Sequence, residues 1–243
     1  MIFFVVPCFN EEKRFIEDYW NELLLIPNTK WLFVNDGSTD QTTTVLENLS
    51  LNENVNNLTL KKNVGKAEAI RLGFLHHLNS ENTEPIILGQ IDFDSSYKAK
   101  DINRIIDIAR DKINNERFDA VWGARIALAG REVLRKSYRH YISRILITMV
   151  GFFVKNLPYD TQTSLKLFKF DSELIHTLKS PFKTRWFFDV ELYLRLKSLK
   201  GDFKLWEEPV AFTRDVDNSK IRGYELYRVL RDLIRLFYIV LIK

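Results

Sequence analysis

Short runs of apolar residues alternate along the chain with longer stretches in which apolar residues recur at helical spacing. A continuous apolar run at 2–6 and mainly apolar stretches at 31–35 and 85–92 predict buried strands, and the spacing at 15–25 and 101–113 predicts amphipathic helices. The same alternation predicts further strands at 58–60 and 118–125 and further helices at 41–49 and 66–78. Alternating strands and helices are typical of an α/β fold with a mostly parallel sheet flanked by helices.

Two amphipathic helices are predicted after this alternating part, at 137–155 and at about 220–243. The first has its apolar residues on one side: Ile142, Ile145, Leu146, Met149, Val150 and Phe153. The second has apolar residues on one face and three arginines on the opposite face. The apolar residues are Leu226, Leu230, Leu233, Ile234 and Phe237, and the arginines are Arg228, Arg231 and Arg235. Neither reaches the ~20 uninterrupted apolar residues of a membrane span, so each either lies on a membrane surface or packs on the core. We therefore expect a catalytic domain at 1–219 and an appended helix at 220–243.

Composition narrows the classes of protein. With 243 residues, 46% of them apolar, the chain can bury the core of one α/β domain. The 36 basic and 32 acidic residues give a net charge of +4 without a Lys/Arg-rich run, so nucleic acid is not an expected partner. One cysteine, Cys8, cannot form an internal disulfide, and the apolar start at 1–6 lacks a basic leader. A cytoplasmic protein with a buried Cys8 is expected.

Polar clusters follow four of the predicted strands. In parallel α/β sheets, ligands bind beyond the carboxyl ends of the strands, where such clusters meet. The clusters are Glu11 and Glu12, Asp36 and Asp40, residues 63–66, and Asp92 and Asp94. Any single cluster could be a loop or a helix cap, but four of them on one edge of the sheet predict a binding site there.

The last cluster contains two carboxylates that suit a hard metal ion. In Asp92-Phe93-Asp94, an extended backbone places both carboxylates on the same side. Carboxylate oxygens suit Mg²⁺ or Mn²⁺, ions that also bind diphosphate oxygens. Surface loops often contain this spacing, so its position at a strand end is what favours a metal site.

Seven stretches together resemble the family 2 glycosyltransferases with the GT-A fold, and more closely the branch of dolichyl-phosphate mannose synthases and other polyprenyl-phosphate sugar transferases. They occur in the order and spacing of that family, over about residues 2–222. The stretches are VVPCFNEE (5–12), VNDGSTDQT (34–42), KNVGKAEAIRLG (62–73), GQIDFDSS (89–96), GAR (123–125), YDTQTSLKLF (159–168) and FFDVEL (187–192).

The resemblance implies a donor site. Its expected nucleotide-binding residues are Pro7, Asn10, Glu11, Asp36, Asn63, Lys66 and Asp92. Asp94 is the expected principal metal ligand, with help from Asp92, and Ser96 replaces a glutamine that often completes the metal site. Asp36 could instead be only a turn residue and Lys66 only a solvated surface group.

The resemblance also implies an acceptor side. Gln162 and Lys166 are expected to border the donor sugar or to structure the acceptor loop, and Ser164 replaces a usual glycine. Asp189 is the candidate base or acceptor-orienting carboxylate beside Glu191, unless either one caps a helix or pairs with Arg185. The expected phosphate-gripping arginines are Arg125 and Arg139, unless they form surface ion pairs, and the expected closing loop contains Arg214, Ser219, Lys220 and Arg222.

These expectations describe a metal-dependent, inverting glycosyltransferase. It would move a sugar from a GDP- or UDP-sugar to a dolichyl or undecaprenyl phosphate. The enzyme would be bound peripherally to the inner face of a membrane, and it could form oligomers. A family 2 enzyme that elongates a cell-surface glycan is the alternative, and a non-catalytic nucleotide-sugar-binding protein is a more distant one.

Overall fold

The computed structural model describes residues 1–80, 86–134, 144–145, 147–154, 156–214 and 223–241. Its strands are β1 Ile2–Cys8, β2 Thr29–Asn35, β3 Val55–Thr59, β4 Ile87–Gln90, β5 Ala120–Ala124, β6 Glu132–Leu134, β7 Lys166–Lys169, β8 Leu205–Pro209 and β9 Phe212–Arg214. Its helices are α1 Glu17–Leu24, α2 Thr42–Leu49, α3 Lys66–Ser80, α4 Ala99–Asn114, α5 Ser172–Lys179, α6 Phe188–Lys200 and α7 Gly223–Leu241. A 3-10 helix at Glu12–Arg14 precedes α1.

Seven strands form the main sheet in the order β3-β2-β1-β4-β7-β5-β8. The neighbouring strands from β3 to β4 are parallel, as are β5 and β8. The exception is β7, which runs antiparallel to both β4 and β5. The predicted α/β fold with a mostly parallel sheet is therefore confirmed, whereas β7 was absent from the sequence-based expectation. The predicted strand at 58–60 is displaced, since β3 spans Val55–Thr59.

Helices cover both faces of this sheet. Alternate residues of β1 belong to opposite cores, as Phe4 packs in one cluster and Phe3 in the other. The first core contains side chains of α1, α2 and α4, and the second contains side chains of α3, α5, α6 and α7. Since β1 is buried along nearly its whole length, its continuous apolar sequence is explained by this double covering.

The last helix, α7, is partly a core element. Its Val229, Leu233 and Leu236 are buried against the second core, which also contains Val150 from a helical segment at 147–151. The predicted apolar face is thus divided, because Leu230 and Ile234 stay exposed. The predicted helix at 137–155 lies partly outside the described residues. Within the described part of the chain, every helix is too short or too polar to cross a membrane.

Candidate active site

A cleft of about 360 Å³ opens beyond the carboxyl ends of β1, β2 and β4. The four parallel strands β1 to β4 bring their four following loops to this edge, as predicted from the polar clusters. The cleft is lined by Pro7, Cys8, Phe9, Glu11, Arg14, Asp36, Asn63, Lys66, Asp92, Phe93 and Asp94. Of the seven residues expected to bind the nucleotide, six line it.

The seventh, Asn10, holds two of the loops together. Its backbone N–H donates to Ser38 Oγ at 3.1 Å, and its side-chain Oδ1 accepts from the Thr39 N–H at 2.9 Å. Asn10 has a φ of 54°, in the left-handed region that asparagine tolerates better than most residues. These two hydrogen bonds hold the loop after β1 against the loop after β2, and both loops border the cleft.

Asp36 braces the loop that leads into α3. Its Oδ1 accepts from the Val64 N–H at 2.7 Å and its Oδ2 from the Gly65 N–H at 2.8 Å. Burial raises the pKa of Asp36, and these two N–H groups oppose that shift. Because a carboxylate oxygen has a further lone pair, Asp36 can brace this loop and still accept from a ligand.

Lys66 and Asp92 form an ion pair at the mouth of the cleft. The Lys66 Nζ lies 2.6 Å from Asp92 Oδ1 and 2.8 Å from Asp92 Oδ2. The lysine is therefore more than a solvated surface group, and its ammonium is fixed beside the two predicted metal ligands. An ammonium in this position can also pair with phosphate charge.

Asp94 faces into the cleft with an excess of negative charge around it. Its Oδ1 accepts from the Ser96 N–H at 3.1 Å. Burial raises the pKa of Asp94, and the neighbouring charge of Asp92 adds to the rise. A divalent cation would relieve this repulsion, and hard carboxylate oxygens suit Mg²⁺ or Mn²⁺, so these residues fit the expected metal. Among the described residues no three His, Cys, Asp or Glu side chains are grouped as they would be around a metal ion.

Glu11 and Arg14 occupy the wall opposite these aspartates. The Arg14 Nη1 donates to Glu11 Oε1 at 3.0 Å. Burial raises the pKa of Glu11 to about 7; the Arg14 charge lowers it and the Asp94 charge raises it. Glu11 therefore changes charge near neutral pH.

This shift predicts a pH-dependent stability. Between about pH 4.5 and pH 7 the unfolded chain has released the proton of Glu11 and the folded chain has kept it. When a chelator removes divalent metal ions, we therefore expect the free energy of unfolding to fall as the pH rises across this window, by up to about 3 kcal/mol. Urea titrations at successive pH values measure the fall, and Glu11→Gln should make it smaller, because other buried carboxylates with raised pKa values still contribute. Glu12→Gln, at the exposed neighbouring position, is the control; a fall in Glu11→Gln as large as in the unmodified protein would contradict the assignment.

Asp189 lies on the first turn of α6 and pairs with Lys166 of β7. The Lys166 Nζ donates to Asp189 Oδ1 at 2.6 Å and to the Thr163 carbonyl, and it lies 4.9 Å from the centre of the Trp122 ring. Burial raises the pKa of Asp189 and lowers that of Lys166, and their mutual contact opposes both shifts. The Lys166 side chain is 0% exposed, and its contacts with the Thr163 carbonyl and Asp189 favour the second of its two expected roles, that of structuring the loop.

Glu191 holds the loop that precedes α6. Its carboxylate accepts from the backbone N–H groups of Lys183 at 3.0 Å and Thr184 at 2.8 Å, and from Arg195 Nη2 at 2.5 Å. Its ion-pair partner is thus Arg195 and not Arg185. The buried Glu191 therefore fixes this loop, and its expected place beside the donor or acceptor stays a prediction.

Arg125 forms a bidentate ion pair with Asp160. Its Nε donates to Asp160 Oδ2 at 2.7 Å and its Nη2 to Asp160 Oδ1 at 2.8 Å. Glu207 in turn accepts from the backbone N–H groups of Tyr159 and Asp160, at 2.7 and 2.8 Å. Two of the guanidinium nitrogens of Arg125 are therefore engaged, and its grip on an acceptor phosphate stays a prediction.

The other expected site residues are spread more widely. Gln162 lies half-buried between Asp160 and β7. Arg214 ends β9, and its N–H donates to the Ser96 carbonyl at 3.0 Å, so the start of the expected closing loop adjoins Asp94. Four expected residues lie outside the described residues: Arg139, Ser219, Lys220 and Arg222.

Arg14 and Glu207 are site residues that the sequence reasoning missed. Arg14 follows Glu11 by three residues, a spacing that brings side chains together on a helical turn and could have been recognised. The contact of Glu207 with residues 159–160 spans 47 residues and has no local sequence pattern.

The mostly parallel sheet, with its polar cleft and two aspartates beyond the strand ends, agrees with the GT-A fold that the sequence resemblance implied. Residues 3–175, more than half of the chain, match the sequence model of the family described as Glycosyl transferase family 2. The chain therefore belongs to glycosyltransferase family 2.

Curated relatives are similar over most of the chain, and a solved structure shares its fold. Dolichyl-phosphate beta-glucosyltransferase ALG5D of Trichomonas vaginalis is 29% identical over 96% of this chain and 72% of its own length. The dolichyl-phosphate beta-glucosyltransferase of Dictyostelium discoideum is 28% identical over 96% and 72%. The mannosyltransferase PcManGT of Pyrobaculum calidifontis, solved with GDP-Man and Mn²⁺, shares the fold at 15% identity, with a TM-score of 0.65 over 100% of this chain. This chain spans 64% of that structure.

Proposed function

We propose that this glycosyltransferase moves a sugar, with inversion, from a nucleotide sugar to a polyprenyl phosphate. The observation that carries the donor half is the cleft beyond β1, β2 and β4, where Lys66 is fixed beside Asp92 and Asp94. Similarity to two dolichyl-phosphate glucosyltransferases over 96% of the chain supports the lipid acceptor.

The cleft has a separate group for each part of a nucleotide-sugar donor. Asp36, braced at the end of β2, would accept from the nucleoside, while Lys66 would pair with the diphosphate. Asp94, with Asp92, would hold Mg²⁺ or Mn²⁺, and the bound ion supplies charge stabilisation to the departing diphosphate. Because this leaving group needs no proton, no acid is required on the donor side.

The chemistry of the acceptor determines whether Asp189 has to act as a base. A phosphate oxygen is already anionic at neutral pH, so it attacks without a strong base, whereas a hydroxyl acceptor needs one. In this structure Asp189 is tied to Lys166 in a buried ion pair. The Lys166 ammonium already binds Asp189 Oδ1, so this oxygen is not free to take a proton from a hydroxyl acceptor, which favours an anionic acceptor.

An exposed apolar surface supports a peripheral contact with a membrane. It contains large exposed side chains from residues 145–153 and from α7, and the rings of Phe153 and Phe237 join the two segments at 5.2 Å. This membrane-facing surface consists of Ile145, Met149, Phe152, Phe153, Tyr227, Leu230, Ile234 and Tyr238. Contiguous exposed apolar surface of this kind marks a contact with a partner or a membrane. Arginines on α7 beside it would meet lipid phosphates.

The proposal is tested by transfer from labelled nucleotide sugars. UDP- and GDP-sugars are supplied with Mn²⁺ and with either short-chain polyprenyl phosphate or an oligosaccharide. Labelled sugar that is recovered on the polyprenyl phosphate, and that mild acid releases from it, supports the lipid acceptor. Label only in the oligosaccharide would make this a glycan-elongating enzyme, and binding without transfer would make it a non-catalytic nucleotide-sugar-binding protein.

Substitution within the membrane-facing surface should weaken binding to lipid. Ile234 is 70% exposed, and burying such a side chain in lipid contributes about 1.5–3 kcal/mol. We therefore expect Ile234→Glu to lower binding to anionic liposomes about tenfold, as measured by sedimentation. Leu51→Glu is the matched control, since Leu51 is 84% exposed at a turn far along the chain from this surface. Equal losses in the two variants would contradict the assignment.

A further inference from the structure

Arg185 lies in the loop between α5 and α6, and its guanidinium packs on Gly65, which directly precedes Lys66 of the cleft lining. A Cβ added to Gly65 would lie 2.1 Å from Arg185 Nη2 and 2.9 Å from its Cζ. The Gly65 N–H donates to Asp36 at 2.8 Å, and the Arg185 charge helps to lower the pKa of Asp36. The guanidinium is therefore placed near the Asp36 carboxylate, which follows β2.

Both flanks of the Arg185 loop are held by buried carboxylates. Glu191 accepts from the N–H groups of Lys183 and Thr184, just before Arg185. Asp232 of α7 accepts through Oδ2 from the N–H groups of Arg185 at 2.8 Å and Trp186 at 3.0 Å. Asp232 is 1% exposed, on the face of α7 that packs on the core. The loop is thus fixed while the Arg185 side chain stays exposed.

We propose that Arg185 binds the nucleoside of the donor and that Asp232 of the last helix is the positioning residue that holds it there. This inference rests on the proposed nucleotide-sugar donor and adds two residues to its site. A planar guanidinium can stack on a nucleobase and donate to ring carbonyl oxygens. Gly65 is required because a side chain there would collide with Arg185 and because its φ is +95°.

Calorimetry with UDP, GDP and pyrophosphate in the presence of Mn²⁺ tests the role of Arg185. Arg185→Ala is expected to weaken UDP or GDP binding about tenfold, or about 1.4 kcal/mol, and to leave pyrophosphate binding unchanged. Arg110→Ala, which removes an arginine on α4 paired with Asp107, is the matched control. Unchanged nucleotide affinity in Arg185→Ala, or an equal loss for pyrophosphate, would overturn the nucleoside role.

A double-mutant cycle tests the role of Asp232. Asp232→Ala should weaken nucleotide binding in the wild-type background and have no further effect in Arg185→Ala, whereas a general loss of structure would lower affinity in both. Asp232→Asn keeps an oxygen that can accept from both N–H groups and should bind as wild type does. Additive losses in the cycle would overturn the positioning role.

Nucleotide binding by the unmodified protein separates the proposed donor from the proposed role of Arg185. If the unmodified protein binds neither UDP nor GDP, the proposed donor is wrong and the Arg185 assignment is wrong with it. If the unmodified protein binds a nucleotide and Arg185→Ala binds it equally well, only the assignment of Arg185 is wrong. Should Asp232→Ala fail to fold, the Arg185→Ala measurement still decides whether Arg185 binds the nucleoside.

Discussion

Asp94→Asn is expected to lower sugar transfer roughly a hundredfold or more and to remove its dependence on a divalent cation. The amide keeps the size of the side chain and an oxygen that can accept from the Ser96 N–H, so the fold should be unchanged. It removes the negative charge that, with Asp92, suits the cleft to a divalent cation. Initial rates are measured against Mn²⁺ concentration, beside thermal unfolding of both proteins.

Asp107→Asn is the matched control for this experiment. Asp107 is an exposed aspartate on α4 paired with Arg110, far from the cleft, and its loss should leave the rate unchanged. Near-normal turnover of Asp94→Asn, with the cation requirement intact, would show that the metal is held elsewhere.

Lys166→Met is expected to lower the free energy of unfolding by about 3–5 kcal/mol, the usual cost of removing one partner of a buried ion pair. Methionine fills a similar volume, but Asp189 is left buried without the ammonium that lies 2.6 Å from it. The pKa of Asp189 should then rise above its already raised value, because the opposing charge is gone. Urea unfolding at neutral pH measures the loss.

A double variant separates the charge from the packing. Lys166→Met with Asp189→Asn replaces both charged groups, so it should recover a large part of the stability lost in the single variant. Lys169→Met, on the same strand and paired at 3.3 Å with the exposed Glu116, should cost about 1 kcal/mol or less. Similar losses in Lys166→Met and Lys169→Met would contradict the importance of the buried pair.

The lining of the cleft could be predicted from the sequence because its residues lie in the segments that follow the parallel strands. Glu11, Asp36, Lys66 and Asp92 come to one edge since parallel strands end there, whatever the details of packing. The roles of individual residues were less predictable. The pairing of Lys166 with Asp189 depends on the insertion of β7, which the hydrophobic pattern did not separate from its neighbours.

The last helix shows a second limit of sequence periodicity. A helical wheel groups Leu230, Leu233 and Ile234 on one apolar face, but only Leu233 of these is buried. The arc that packs is set by the neighbouring helices, and it also contains the charged Asp232. Such a residue can be placed only when its partners, 46 and 47 residues away, are known. Removing α7 would therefore take away part of the core, so point substitutions test membrane contact better than truncation.

The position of β7 has a consequence for the synthesis of this protein on the ribosome. Strands β3, β2, β1 and β4 can pair once residue 90 has emerged, but the free edge of β4 is covered only by β7, which ends at residue 169. At about 5–20 residues per second, the intervening chain of almost 80 residues takes roughly 4–16 s to make. Through that interval a nascent four-stranded sheet presents the unpaired backbone of Ile87–Gln90, a template for pairing with another chain. Slow translation between these two strands would prolong this exposure, and an early chaperone contact would protect the edge until β7 arrives.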